Sequence, residues 1–373
     1  MDVSLRRSPV LLLASLLLSG VACAPTADPP AAETPAASFL PGSRVLLDAH
    51  NCYPYHGQWA DRIERALATG VPLAIEQDLA WYSDPATGRS WSVVVHEERF
   101  TGGEPTLRDY FFERIRPIVE RALAEGARDD WPLITLNLDF KAEQPEHLAA
   151  IWQLLGDYEE WLTTAERGED PARVAPLEVR PLLVLTGESD AQEQVFHHDV
   201  PAGGRLRLFG AVRVRRAEPG VTPEQAWQYN VATPPEALLP AGGDNYRRWW
   251  NNSWFFVEKG GATRAAEWTP EDEQRLRSLV GHAHANNLWI RFYTLNGHDP
   301  ADETHGWSSG YNFGSREQAE KRWRAALAAG VDFIASDQYE DLSAVLQQRR
   351  AARWGGPSQP SRGAAAPRLL FSR

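Results

Sequence analysis

From about residue 40 the chain alternates short runs rich in β-branched and other apolar residues with longer stretches whose apolar positions recur at helical spacing. The strand-like runs are 44–50, 72–80, 92–97, 133–141, 181–186, 206–212, 288–296 and 332–336. Helical patterns fill most of the gaps, at 58–68, 106–124, 146–162, 270–286 and 315–329. Thr269 before Pro270 is a helix-start pair, and the tripeptides ending at Gly70, Gly126 and Gly330 are helix stops. Strands alternating with helices predict an α/β fold, and eight of them over this length predict a (β/α)8 barrel of the TIM type. A doubly wound sheet is the competing architecture, because periodicity does not report whether a sheet closes. Counted in order, the strands leave a long insertion between the sixth and seventh, at 214–268, and bound the barrel domain to 41–348.

The two ends fall outside this rhythm. Arg6 and Arg7 precede an apolar run from Val10 to Leu18 and then SGVACAPTADPP, the three-part layout of a secretory signal over 1–24. Cleavage after Ala24 releases the protein, whereas cleavage before Cys23 makes a lipoprotein anchored at that cysteine. The Pro/Ala-rich stretch 25–40 cannot build a core and suits a tether, which favours the anchored form. The expectation is therefore an exported protein, either periplasmic and membrane-anchored or secreted. Residues 349–373, rich in Gly, Pro, Ser, Arg and Ala, read as a disordered tail. With Cys23 in the signal region, Cys52 has no partner within the domain, so stability must come from a core.

Composition narrows the partners. The 373 residues carry a formal net charge of -12 and no segregated basic patch, which argues against nucleic acid as a ligand. A monomer acting on a small molecule or a lipid is the expectation.

In a barrel, chemistry gathers at the C-terminal ends of the strands. The first run ends in His50 and Asn51, the second carries Glu76 and Asp78, the third ends at His96, and the fourth carries Asp139 and Lys141. Alternation along a strand puts Glu76 and Asp78 on one face, and likewise Asp139 and Lys141, so both pairs can enter one mouth. Three carboxylates gathered without a counterion repel by about 4 kcal/mol per pair at 4 Å and an effective dielectric near 20. A divalent cation removes that cost, and oxygen ligands suit Mg²⁺ or Ca²⁺ better than Zn²⁺. Two imidazoles beside such a site can exchange protons near neutral pH. A hard cation, a lysine and two histidines together are what phosphodiester cleavage needs.

The ordered set AHN (49–51), EQD (76–78), VVVHE (93–97), LNLDFK (136–141), YTLNG (293–297) and GVDFIASD (330–337) resembles the phospholipase C-like phosphodiesterases. That superfamily includes glycerophosphodiester phosphodiesterases and phosphatidylinositol-specific phospholipases C. The opening DAHNCYPYHGQWADRIERALATGVPLAIEQDLAW, with LNLDFK and RPLLVLTG, looks most like the branch named after altered inheritance of mitochondria protein 6. The resemblance spans most of 44–340, strongly to about 141 and weakly over 187–285. It implies that His50 and His96 are the catalytic acid/base pair, that Glu76, Asp78 and Asp139 hold the metal, and that Lys141, Asn51, Tyr293 and Asn296 bind substrate. Asn51 stands where many glycerophosphodiesterases carry arginine, which leaves the choice between glycerophosphodiester and phospholipid headgroup open. Whether water or a neighbouring substrate hydroxyl attacks, the latter giving a cyclic phosphate, is also open.

Competing readings have their own signatures. A glycoside hydrolase uses two carboxylates and gives no task to His50, His96 or Lys141. A barrel serving as a non-catalytic binding module keeps the fold without turnover. TGESD around Ser189 lacks the glycine that a nucleophile elbow needs. His56, His197 and His198 read as surface or loop residues, and His282 and His284, two apart on a helix, do not share a ligand. The aromatic run Trp249, Trp250, Trp254, Phe255 and Phe256 fits either core packing or a membrane-facing wall.

Overall fold

The computed structural model describes residues 39–55, 57–170, 172–258, 267–298 and 312–353. The expected signal with Cys23, nearly all of the 25–40 tether, His56 and the tail beyond residue 353 lie outside them. The last helix, Tyr339–Arg353, continues past the expected domain boundary at 348.

Nine strands form the main sheet: β1 Leu46–Ala49, β2 Leu73–Ser83, β3 Ser90–Val94, β4 Ile134–Phe140, β5 Leu182–Thr186, β6 Phe209–Ala211, β7 Arg247–Ser253, β8 Trp289–Tyr293 and β9 Phe333–Ser336. Eight of them pair in parallel in the order β1-β9-β8-β7-β6-β5-β4-β2, and β2 pairs back to β1, closing the barrel. Closure decides between the two architectures: this is the (β/α)8 barrel. Helices wrap its outside, among them Arg62–Ala68, Glu113–Glu125, Pro145–Asp157, Pro270–Ala285 and Arg316–Ala329. Gly126 and Gly330 end two of them in the left-handed conformation, at φ 65° and 83°, which a residue without Cβ adopts at little cost. A small three-stranded sheet from 164–166, 177–178 and 205–206 pairs separately from the barrel wall and packs Ala165 and Leu206 against its interior cluster.

Two strand expectations change. The run at 92–97 is not a wall strand. β2 has eleven residues, and its outer part pairs antiparallel with β3 from Leu79 opposite Val94 to Ser83 opposite Ser90, making a hairpin appended to the wall. The missing wall strand is β7, inside the stretch read as an insertion. Arg247 and Arg248 at its start and Asn251 and Asn252 near its end broke the apolar signal. The interruption expected between the sixth and seventh strands is thus two connections, one on either side of β7.

Strand parity divides the side chains into two populations. Leu47, Ala49, Ile75, Leu136, Leu138, Ile290 and Ile334 face the helices and build the larger core cluster. Leu46, Ala74, Leu183, Phe209, Trp249, Trp289 and Phe333 share a separate core cluster with Phe39, which accepts a hydrogen bond from Trp289 Nε1 through its carbonyl at 3.2 Å. Further along the same strands, toward their C-terminal ends, the wall residues turn polar: Asp48, Glu76, Asp78, Asn137, Asn251 and Arg291.

Of the two readings of the aromatic run, the structure bears out core packing. Trp249, Trp250 and Trp254 are at most 1% exposed, because alternation sends Trp249 into the second cluster and Trp250 toward His282 on the helical side. Phe255 stacks on Trp227 at 4.5 Å between ring centroids. Among the described residues no helix is long and apolar enough to cross a membrane. Trp249→Ala is expected to lower the free energy of unfolding by about 3–5 kcal/mol, the range for deleting a buried aromatic. Chemical denaturation measures this; a change below 1 kcal/mol, on the order of a surface substitution, would contradict the core assignment.

Candidate active site

Register builds the site. β2 and β4 pair so that Glu76 lies beside Asn137 and Asp78 beside Asp139, and β7 and β8 pair so that Asn251 lies beside Arg291. Inward parity then brings these side chains to the C-terminal end of the barrel, around a cleft of about 390 Å³. His50, Asn51, Glu76, Asp78, His96, Asp139, Lys141 and Tyr293 all line it.

At the floor of the cleft sits Arg291, 1% exposed. Its Nε donates to Asp48 Oδ2, its Nη2 to Glu76 Oε1 at 3.1 Å and its Nη1 to Asn251 Oδ1 at 3.1 Å. Asn137 Nδ2 also donates to Glu76 Oε1, at 3.3 Å, and the Asn51 amide donates to Glu76 Oε2 at 3.0 Å. Burial by itself raises the Glu76 pKa, but the charges of His50 and Arg291 and the Asn51 amide outweigh it and bring it down to about 2.

At the end of β1 the chain turns sharply: Asn51 has φ 52°, a left-handed conformation that asparagine tolerates better than most residues. Buried Arg62 clamps this turn by donating to the Asn51 and Tyr53 carbonyls at 3.0 and 2.8 Å, and the Tyr339 hydroxyl donates to the His50 carbonyl at 2.8 Å. His50 is thereby presented with Nδ1 2.7 Å from Asp337 Oδ1 and Nε2 3.5 Å from Glu76 Oε2. Burial pulls its pKa down, but Glu76 and Asp337 more than reverse that and raise it to about 9. His50 is an imidazolium at neutral pH.

His96 is the opposite case. It follows β3 at the exposed rim, its ring parallel to that of Tyr53 at 6.1 Å. Partial burial and then the charge of Lys141 push its pKa below the ordinary histidine value. One cleft therefore holds two imidazoles whose pKa values are pushed in opposite directions, one up and one down.

The carboxylates Glu76, Asp78 and Asp139 each offer an oxygen within 4.8 Å of the others. Lys141 Nζ bridges Asp78 and Asp139 at 2.9 and 2.7 Å. Burial, followed by Asp139 and Glu76, pushes Asp78 well above the usual carboxylate range, against the pull of Lys141. Its Oδ1 is buried with no hydrogen-bond partner. A cation among these oxygens would relieve the mutual repulsion that raises Asp78. An oxygen-only donor set with an orphaned carboxylate oxygen fits Mg²⁺ or Ca²⁺.

Asn296 is placed differently from the other candidates. It is 1% exposed and outside the cleft wall, with Nδ2 donating to Asp337 Oδ2 at 2.8 Å and Oδ1 accepting from the Asp337 amide at 2.8 Å and Ser336 Oγ at 3.0 Å. It holds Asp337, and through it His50. Asn51 Nδ2 likewise donates to Asp337 Oδ1 at 3.0 Å.

Sequence reasoning gave no role to Asp337, Arg291, Asp48, Asn137 or Asn251. For Asp48, Asn137, Arg291 and Asp337 a signal was there: each is a polar residue at inward parity in, or just past, an otherwise apolar strand, whereas the strand of Asn251 carried none.

No protein-family model matches the chain, and no curated protein matches it. Among solved structures it is similar to a glycerophosphoryl diester phosphodiesterase from Parabacteroides distasonis, at 15% identity and TM-score 0.36 over 87% of this chain and 90% of that one. It is similar to a calcium-dependent phosphoinositol-specific phospholipase C from a Pseudomonas species, at 12% identity and TM-score 0.41 over 82% and 93%. It is also similar to the HPPK-DHPS of Plasmodium falciparum, at 9% identity and TM-score 0.43 over 85% of this chain and half of that one. Likenesses of this degree carry no argument; the barrel rests on its own strand pairing, and chemistry has to be read from the cleft.

The His50–Asp337 pair carries a pH signature. A pKa raised from 6.5 to about 9 on folding contributes stability that is complete below about pH 6.5 and lost as pH climbs through 9. Metal-free protein is expected to lose stability over that window, and Asp337→Asn to flatten the loss. Urea midpoints at a series of pH values test it; an identical slope in the variant would remove Asp337 as the cause.

Proposed function

We propose that this protein is a metal-dependent phosphodiesterase of the phospholipase C-like kind, acting on a glycerophosphodiester or phospholipid-headgroup ester by histidine acid/base catalysis. The observation that carries the reading is one cleft lined by two histidines, a three-carboxylate cluster and an ammonium, with the two imidazole pKa values pushed in opposite directions. In this reading the chain is exported and sits nearest the branch named after altered inheritance of mitochondria protein 6, on motif order.

Each residue then has a task. Neutral His96 accepts the proton of the attacking hydroxyl, and the His50 imidazolium gives its proton to the leaving oxygen. Asp337, clasped by Asn296 and Asn51, fixes the His50 ring through Nδ1 and stabilises its charge. Lys141 has three donors, and with two directed at Asp78 and Asp139 it retains one for a phosphoryl oxygen. The Tyr293 ring lies parallel to His50 at 6.0 Å and forms a wall for the substrate. Held by Glu76, Asp78 and Asp139, an Mg²⁺ or Ca²⁺ ion supplies charge neutralisation at the phosphoryl oxygens. A sugar hydrolase finds no use for two histidines of opposite acidity, and a binding module does not need them.

Hydrolysis of bis(p-nitrophenyl) phosphate and of glycerophosphodiesters is expected to disappear on chelation and to return with one of the two cations. Turnover that persists after chelation would overturn the metal dependence, and no turnover with either cation on any diester would overturn the assignment. His96→Ala is expected to lower kcat by about 10²–10⁴-fold, the usual weight of a positioned acid or base. Because His96 is exposed, its unfolding midpoint should stay near that of the parent. The profile of kcat/KM against pH is expected to be a bell whose acid limb disappears in that variant; an unchanged acid limb would assign the base elsewhere.

A further inference from the structure

The segment after β5 carries a second group of ligand-type side chains, away from the cleft. Ser189 caps it, its Oγ accepting from the Ala191 amide at 3.1 Å, and the short helix Asp190–Glu193 widens into a π turn over Gln194–His198. In an α-helix the residue five places on points away from the first, but a π turn, closed here by the Asp199 amide on the Gln194 carbonyl at 2.9 Å, brings it back. Glu193, His197 and His198 each present a ligand atom within 4.8 Å of the others.

His197, read from sequence as a surface residue, is 2% exposed, and neither of its ring nitrogens has a hydrogen-bond partner. A buried imidazole with both nitrogens unpaired is rare in folded proteins and marks a place where a partner belongs. The Tyr246 ring lies parallel to it at 5.5 Å and closes one side. Glu193 Oε2 accepts from Arg213 at 3.0 Å and also from Arg247, while Oε1 faces His198 Nε2 at 4.0 Å. The two guanidiniums thus fix the carboxylate and leave one oxygen for a ligand, the way outer contacts orient metal ligands. Arg213 also pairs with Asp190, so the charges of Arg213 and Arg247 are matched by Glu193 and Asp190.

We propose that Glu193, His197 and His198 form a second metal site, specific for a borderline transition-metal dication of the Zn²⁺ class. Two imidazoles and one carboxylate oxygen select against Mg²⁺ and Ca²⁺, which prefer oxygen alone. The site clamps the connection that carries Gly187 into the cleft wall, and Glu143 ties the same connection down by accepting from Ser189 Oγ and Gln192 Nε2, both at 2.6 Å.

The test is calorimetric titration of Zn²⁺ into the untagged, metal-free full chain with Ca²⁺ in excess, so that the carboxylate cluster does not contribute. Zn²⁺ binding that persists in Ca²⁺, weakens at least tenfold in His198→Ala and is unchanged in Asp139→Asn is expected. His198 is exposed, so its variant does not put the fold at risk; His197→Ala, at the buried ligand, should lose binding altogether. A rise in melting temperature on adding Zn²⁺, absent in His198→Ala, is the independent readout. No heat of binding in the presence of Ca²⁺, or binding that both histidine variants retain, overturns the site. Neither result depends on turnover, so the phosphodiesterase reading stands or falls separately.

Discussion

A guanidinium buried inside a barrel demands negative charge around it, and Arg291 organises the site through that demand. It is bonded to Asp48, Glu76 and Asn251 from three other strands, so the closed wall and its charge arrangement depend on one another. Removing one partner of such a group leaves an uncompensated buried charge, which costs about 3–5 kcal/mol. Held ionised by His50 and Arg291, Glu76 in turn raises the pKa of His50 and faces Asp78 across the cleft floor. His50, the carboxylate cluster and the floor are one electrostatic unit.

The apolar half of the barrel makes that unit possible. Trp249, Trp289 and Phe333 fill the interior toward the strand starts, and Phe39 packs on Trp289 with ring centroids 4.9 Å apart. Dense packing there holds the strands in register, and register is what sets Asp78 beside Asp139 rather than beside an apolar neighbour. The two histidines gain their opposite behaviour from position alone: His50 sits at the floor between two carboxylates, whereas His96 sits at the rim, near an ammonium.

Much of this was readable from one dimension. Strand-like runs alternating with helical ones implied the barrel, and residues at strand ends implied a cleft containing His50, Glu76, Asp78, His96, Asp139 and Lys141, because alternation and strand-end position are local properties. β7 was not readable, since a strand whose upper half faces a polar interior loses the apolar pattern that announces strands. The run at 92–97 was read as wall because a hairpin strand and a wall strand have the same periodicity; the length of β2 decides between them only once its partner is known.

What the sequence determined by itself was therefore parity: which residues share a face, and that acidic pairs and histidines stand at the ends of strands. Pairing across long distances in the chain belonged to the tertiary structure. Asp337 reaches His50, Arg291 reaches Asp48 and Glu76, and Asn296 turns from a residue that touches substrate into one that holds Asp337, because barrel closure brings β1 against β9. Protonation states were decided there too. A pKa depends on burial and on charges a few ångströms away, and those distances exist only after the sheet has closed.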